Sequence, residues 1–173
     1  DTVRRQRQMC IRDSFHGLEI KTKTPVFEAN TAILMDFRVD QSKGMHFIYL
    51  LPYSTTEALV ESTIFSTNLA DEQFYLSTID NYLAEHYQVE EYEITHRENG
   101  VIPLGKLAPH DVNISGLGAN GGATRPASGY AFLFIQRQIT SAIERVNAGK
   151  ELTFSNPHKR LDLWICLLYT SDA

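Results

Sequence analysis

Cysteine is almost missing from this chain of 173 residues. There are two, Cys10 near one end and Cys166 near the other, and none between them. The interior therefore has no thiol to place in a disulfide or a metal site. The six histidines, His16, His46, His86, His96, His110 and His158, show no close ligand spacing, so no metal centre is expected. Basic residues are also in short supply: 16 Lys and Arg face 21 Asp and Glu, a net charge of −5. Nucleic-acid backbones require a basic face, and that class of partner is set aside. No apolar run approaches the roughly twenty residues that would span a bilayer. No G-x-S-x-G elbow marks a serine hydrolase, and no internal repeat or low-complexity tract is present.

The two ends read differently from the rest. Residues 4–14, R-R-Q-R-Q-M-C-I-R-D-S, and 166–173, C-L-L-Y-T-S-D-A, are expected to be translated sequencing adapter. One transposon-end DNA string encodes Arg7 to Asp13 in one frame, and its complement encodes Cys166 to Ala173. Such segments are set aside before fold reasoning, as a fusion scar would be. Both cysteines go with them, and residues 15–165 hold 12 basic and 18 acidic side chains. The expected organisation is then 15–110 as one unit, 111–150 as a second, and 151–165 as a truncated tail.

Between the ends, β-branched and aromatic residues separated by polar turns predict strands at Phe15 to Lys21, Ala32 to Val39, Met45 to Pro52 and Ala58 to Ser66. Short connections favour an antiparallel sheet. Asn68 is the expected cap of a helix over about 69–87, in which Leu76, Ile79, Tyr82, Leu83 and Tyr87 recur at helical spacing. Gln88 to His96 alternates as a charged edge strand, followed by a loop bounded by Gly100, Pro103, Gly105 and Pro109. Val112 to Leu117 is expected as a strand leading into a glycine loop, and Gly129 to Ala148 as the helix after it, ended by Gly149.

That loop, G-L-G-A-N-G-G-A-T-R-P-A-S-G-Y from Gly116 to Tyr130, has five glycines in fifteen residues. Strand, glycine loop and helix start together make phosphate-binding geometry, because bare backbone N–H groups approach a ligand at the positive end of a helix. The spacing departs from G-x-G-x-x-G, and a chain-reversing loop is the plainer alternative. Ser128, where the helix begins, suits capping. Arg125 is equally suited to a phosphate or to solvent.

Two acidic positions stand out. Strand alternation puts Leu59, Glu61, Thr63 and Phe65 on one face and Ala58, Val60, Ser62 and Ile64 on the other, so Glu61 has apolar neighbours either way. A carboxyl group there loses hydration when charged, its pKa rises, and it holds a proton near neutral pH. A solvent-facing glutamate is the commoner reading for an unassigned strand. Asp36 and Arg38, two apart, fall on one strand face and are placed to pair with each other, which is more often structural than catalytic.

In order, L-M-D-F-R-V-D-Q (Leu34 to Gln41), H-F-I-Y-L-L-P (His46 to Pro52), A-L-V-E-S-T-I-F-S (Ala58 to Ser66), V-I-P-L (Val101 to Leu104) and G-G-A-T-R-P-A-S-G-Y (Gly121 to Tyr130) resemble the FAD-dependent lycopene cyclase family, carboxy-terminal half. The resemblance implies an α/β flavoprotein of α+β type: an antiparallel substrate-domain sheet, then the final strand, glycine loop and helix of a Rossmann-like FAD-binding domain. It implies closure of the ends of linear lycopene into β-ionone rings without net redox change. Reduced FAD would assist, NAD(P)H would keep it reduced, and Glu61 would be the general acid. Where the family often has a second acid beside this one, the chain has Ser62.

By the same resemblance Asp36, Arg38, Gln41, Tyr49 and Pro52 line the cavity. Gly116, Gly118, Gly121, Gly122, Pro126, Ser128 and Gly129 contact FAD, although Leu117 stands where many related flavoenzymes carry an aspartate. The implied location is cytoplasmic, peripherally on the membrane that holds the carotenoid. A monooxygenase or isoprenoid reductase of the same wider group is the enzymatic alternative, and an inert or carotenoid-binding fragment the non-enzymatic one.

Overall fold

In a computed structural model, residues 12–104, 116–125, 129–155 and 157–158 are described. The chain divides into two compact units, one ending at Val101 and one beginning at Ile102. The first is a five-stranded sheet with one helix. Its strands are β1 (Arg12–Lys21), β2 (Ile33–Asp36), β3 (Met45–Pro52), β4 (Glu57–Ser66) and β5 (Glu93–Pro103), and its helix α1 is Glu72–Tyr87. The spatial order is β2-β3-β4-β1-β5. The pairs β2–β3, β3–β4 and β4–β1 are antiparallel. The first strand thus lies inside the sheet, gripped by the fourth, and the expected antiparallel sheet is present.

One face of the sheet packs on α1. Leu18, Ile20, Ile48, Leu50, Ala58 and Val60 from the strands meet Ile79, Tyr82 and Leu83 from the helix, all buried. Tyr75, Thr78, Ile79 and Tyr82 are mediocre helix formers, a few tenths of a kcal/mol or about 0.5 kcal/mol worse than alanine each. Burial of an Ile- or Leu-sized side chain gains about 1.5–3 kcal/mol, so packing decides the helix.

Its start differs from the expected one. Asp71, not Asn68, is the cap: its Oδ1 accepts from Phe74 N at 3.0 Å. Asn68 N–H instead donates to Ser66 Oγ, which leaves Leu69 ahead of the helix and half exposed. Asp71→Ala is expected to lower stability by about 1 kcal/mol in urea unfolding, with Asn68→Ala near neutral. At the other end Gln88 turns left-handed (φ 55°) and its N–H returns to Leu83 O.

Two further strands depart from the sequence reading. β2 is cut to four residues by a register shift between Ile33 and Asp36 and by Met35 at φ 54°. β5 begins later than expected, at Glu93, and runs through Gly100 to Pro103, where a loop was predicted. Gly100 is a packing glycine: a Cβ there would sit 2.8 Å from Cζ of Phe15. Proline at the end of an edge strand costs the ladder nothing on its open side. β1 reaches back to Arg12, inside the stretch read as adapter, because backbone pairing with Ser66 and Phe65 makes little demand on side chains.

In the second unit, a 3₁₀ turn, Gly118–Gly121, precedes helix α2, Phe132–Asn147. Gln138, almost fully buried, ties the turn to the helix: its Oε1 accepts from Gly118 N and its Nε2 donates to Gly121 O and Ser155 O. A Cβ on Gly121 would overlap Gly116 O at 2.2 Å, so this position admits only glycine. The expected strand at 112–117 falls mostly outside the described residues, and Gly116 and Leu117 are not strand.

Candidate functional site

The sheet face turned away from α1 carries the candidate acid. In register, β4 sets Glu61 beside Tyr49 of β3 and Gly17 of β1, and sets Thr63 beside Phe47 and Phe15. Phe47 is fully buried and meets Phe37, Tyr49 and Phe65 edge-on, at 5.5, 5.2 and 5.4 Å between centroids. Aromatic side chains thus surround one half-buried carboxyl group.

Burial pushes the Glu61 carboxyl up to about 7, helped by the negative charges of Glu98 and Asp13 and by a hydrogen bond with Glu98. A hydrogen bond from Thr63 Oγ1 to Glu61 Oε1, 2.9 Å, acts the other way and loses. Asp13, on the same face, is itself raised to about 6 by burial. The Tyr49 hydroxyl is raised by burial and then by Glu61 and Asp13. A carboxylic acid that still holds its proton near neutral pH, in an aromatic wall, is suited to protonating an apolar substrate.

The structure brings Glu61 and Tyr49 together and leaves the other expected pocket residues elsewhere. Asp36 pairs in register with Ile48, on the α1 face. It is bound there by Arg38 and by Tyr82 Oη at 2.7 Å. Hydrogen bonds from Arg38 and Tyr82 hold its carboxyl well below the usual carboxylate range. The pairing with Arg38 is not that of two residues on one strand face. The strand ends at Asp36, whose Oδ1 accepts from Arg38 N and closes a turn. Gln41 is a clamp on the following loop: Nε2 donates to Phe37 O, Val39 O and His46 O, and Oε1 accepts from His46 N. Pro52 pairs with Ala58, also on the α1 face.

Ser62 points away from Glu61 as well. Its Oγ lies 2.8 Å from His46 Nε2, while Nδ1 of that ring lies 2.7 Å from Asp40 O. A carbonyl only accepts, so Nδ1 carries the proton and Nε2 accepts from Ser62. Burial lowers the His46 pKa and keeps the ring neutral. An acid at position 62 would therefore lie across the sheet from Glu61. Sequence reasoning missed Glu98, whose strand had been ended at His96. The alternation E-N-G-V-I-P, continued past Gly100, was the signal available.

In the glycine loop Gly118 and Gly122 have φ of 68° and 73°, and Gly129 has 69°, conformations that favour glycine. The Gly118 N–H is held by Gln138. Beside Gly122 nothing lies within 4 Å of where a Cβ would be, and Ala131, the residue ahead of α2, gives the helix no side-chain cap. The N–H groups of Gly122, Ala123 and Gly129 are taken by Ala119 O, Gly118 O and Arg125 O, so what the loop offers a phosphate-bearing cofactor is the clearance at Gly122 and the uncapped start of α2. Gly116 and Gly121 instead form the tight contact of the turn itself. Pro126 and Ser128 lie outside the described residues.

Comparison with known proteins gives the family and the fold. The family model "Lycopene cyclase protein" matches residues 2–165. A lycopene beta-cyclase from a Paracoccus species is 31% identical over 126 residues, 68% of this chain and 32% of that protein. The match thus spans about a third of the relative's length. A crystal structure of a geranylgeranyl bacteriochlorophyll reductase-like protein from Thermoplasma acidophilum superposes with a TM-score of 0.54 at 10% identity, over 93% of this chain and 39% of that one. That likeness is one of fold, a mixed α/β architecture with an antiparallel sheet. With the family model covering nearly all of its length, the chain belongs to the lycopene cyclase family.

Proposed function

We propose that this chain is part of an enzyme that closes the ends of linear lycopene, or a related linear carotenoid, into β-ionone rings, with Glu61 as the general acid. The observation that carries the reading is a glutamic acid raised to about 7 within an aromatic sheet face. Glu61 gives its proton to the terminal double bond, the next suitably placed alkene attacks the resulting tertiary cation, and loss of a ring proton completes the ring. Atoms and charge balance without net redox change. Phe15, Tyr49 and Phe65, backed by the buried Phe47, present ring faces and edges rather than water, which would quench the cation. Thr63 fixes the orientation of the acid through Oε1.

The uncapped start of α2 and the clearance at Gly122 would hold FAD, with Gly118, Gly121 and Gly129 shaping the turn that presents them. When bound and kept reduced by NAD(P)H, this cofactor supplies an electron-rich group to a cationic transition state. Peripheral contact with the cytoplasmic side of a membrane belongs to the same reading, since the substrate resides in lipid. Among the described residues no helix is long and apolar enough to cross a membrane.

The test is to express the whole gene that encodes this segment in bacteria accumulating lycopene, with and without Glu61→Gln, and to separate the pigments by chromatography. One- or two-ringed carotenes that disappear in the variant are expected. Unchanged lycopene from a folded wild-type protein would overturn the proposal in favour of flavin-dependent reduction or hydroxylation.

A further inference from the structure

Position 17 is a window in the sheet. β1 runs between β4 and β5, and Gly17 stands directly opposite Glu61. From the other side Glu98 of β5 folds over the glycine: its Cγ, Oε1 and Cδ lie 2.8, 2.9 and 3.3 Å from the place a Cβ would take. Glu98 thus occupies the side-chain position that Gly17 leaves empty. Residues directly opposed in an antiparallel pair have Cβ positions about 4.5–5.5 Å apart, which brings the two carboxyl groups within reach of each other. Two ionised carboxylates at that range repel, and a single proton between them removes the conflict. Thr63 occupies Glu61 Oε1 and leaves Oε2 for the shared proton.

We propose that Glu98 is the second carboxyl group of the site, a positioning residue that reaches across Gly17, shares the proton of Glu61 and keeps it on Glu61 at neutral pH. The catalytic meaning of this pair rests on the cyclase reading above; the pairing itself does not. The remaining titratable groups around Glu61 are Asp13 on β1, Tyr49 on β3 and, further along the face, Glu19, which accepts from Tyr53 Oη. Alternation adds His96 on β5. Lys21, at the end of the same face, is engaged by Glu57 at 2.8 Å and supplies no counter-charge to the pair.

The experiment is a carbon-13 NMR titration of the glutamate carboxyl groups in the whole protein that contains this segment and in three variants of it. Glu98→Gln is expected to move the Glu61 midpoint down by about one unit, the size of effect a close like charge exerts. Gly17→Ala, whose new methyl group displaces the Glu98 side chain, should move it in the same direction. Glu19→Gln should leave it in place. An unmoved midpoint in Glu98→Gln, or an equal shift in Glu19→Gln, overturns the pairing.

In the whole enzyme the alkaline limb of ring formation should follow, with about tenfold less activity in Glu98→Gln at a pH above both midpoints. The two readings fail separately. Rings still formed by Glu61→Gln would sink the acid assigned to the cyclase while the carboxyl titration stood, and an unmoved midpoint would sink the role of Glu98 whatever the pigments showed.

Discussion

Phe47→Ala is expected to destabilise the protein by about 3–5 kcal/mol, the range for truncating a buried phenylalanine. The ring is wholly buried and is wedged edge-on among Phe37, Tyr49 and Phe65, so no single neighbour can relax into the space. Each aromatic pair adds about 0.5–1.5 kcal/mol beyond burial in isolation, but the three share one ring and do not sum. Against a domain stability of about 5–15 kcal/mol the loss is at least about a fifth of the total. Phe37→Ala, at a ring 48% exposed, should cost far less. Urea unfolding would read both: a lower midpoint at constant slope for Phe47→Ala, and a small shift for Phe37→Ala. Phe47 also stands opposite Thr63, the donor to Glu61, so water admitted by its loss should bring the Glu61 midpoint back toward 4.5. Equal costs for the two substitutions would contradict the packing described.

Local pattern showed much of this in advance, because strands and helices leave periodic marks. β3 and β4 lie within a residue of where alternation puts them, and the two faces of β4 sort as expected. Boundaries set by single side chains did not show. Whether Asn68 or Asp71 caps α1 depends on which side chain meets a free N–H of the first turn, and both residue types are good caps. Gly100 looked like a chain reversal and is a strand residue cleared for the Phe15 ring. The site was half legible for the same reason. Glu61 and its burial follow from one strand, whereas its partner depends on register. The chain neighbour Ser62 points to the opposite face, and the spatial neighbour Glu98 belongs to the strand beyond β1. Asp36 and Arg38 paired as the spacing suggested, yet the bulge in β2 turned them to the α1 face, away from the acid.

Glu61→Gln should do two opposite things at once. In the unfolded chain this carboxyl titrates near 4.5, and in the folded protein near 7, so the native state binds the proton more tightly. The stability it contributes is fully present below 4.5 and is lost as the pH rises through 7; above that, the ionised group costs on the order of 3 kcal/mol relative to the acid. Glutamine cannot ionise, and its carbonyl oxygen still accepts from Thr63. The wild-type protein should therefore lose stability between about pH 5 and pH 8, and the variant should lose much less, becoming the more stable of the two at pH 8. Asp13, raised to about 6, contributes a slope of the same sign and should leave a residual one. Below 4.5 the two proteins should unfold alike. Thermal melts at a series of pH values would decide, and parallel slopes would mean that Glu61 is solvated after all. Glutamine also has no proton to give, and ring formation in the whole enzyme should fall by about a hundredfold or more. A residue retained for packing would not gain stability and lose activity in one step, whereas a buried acid kept for its proton should, because the burial that raises its pKa is the same burial that penalises its charge.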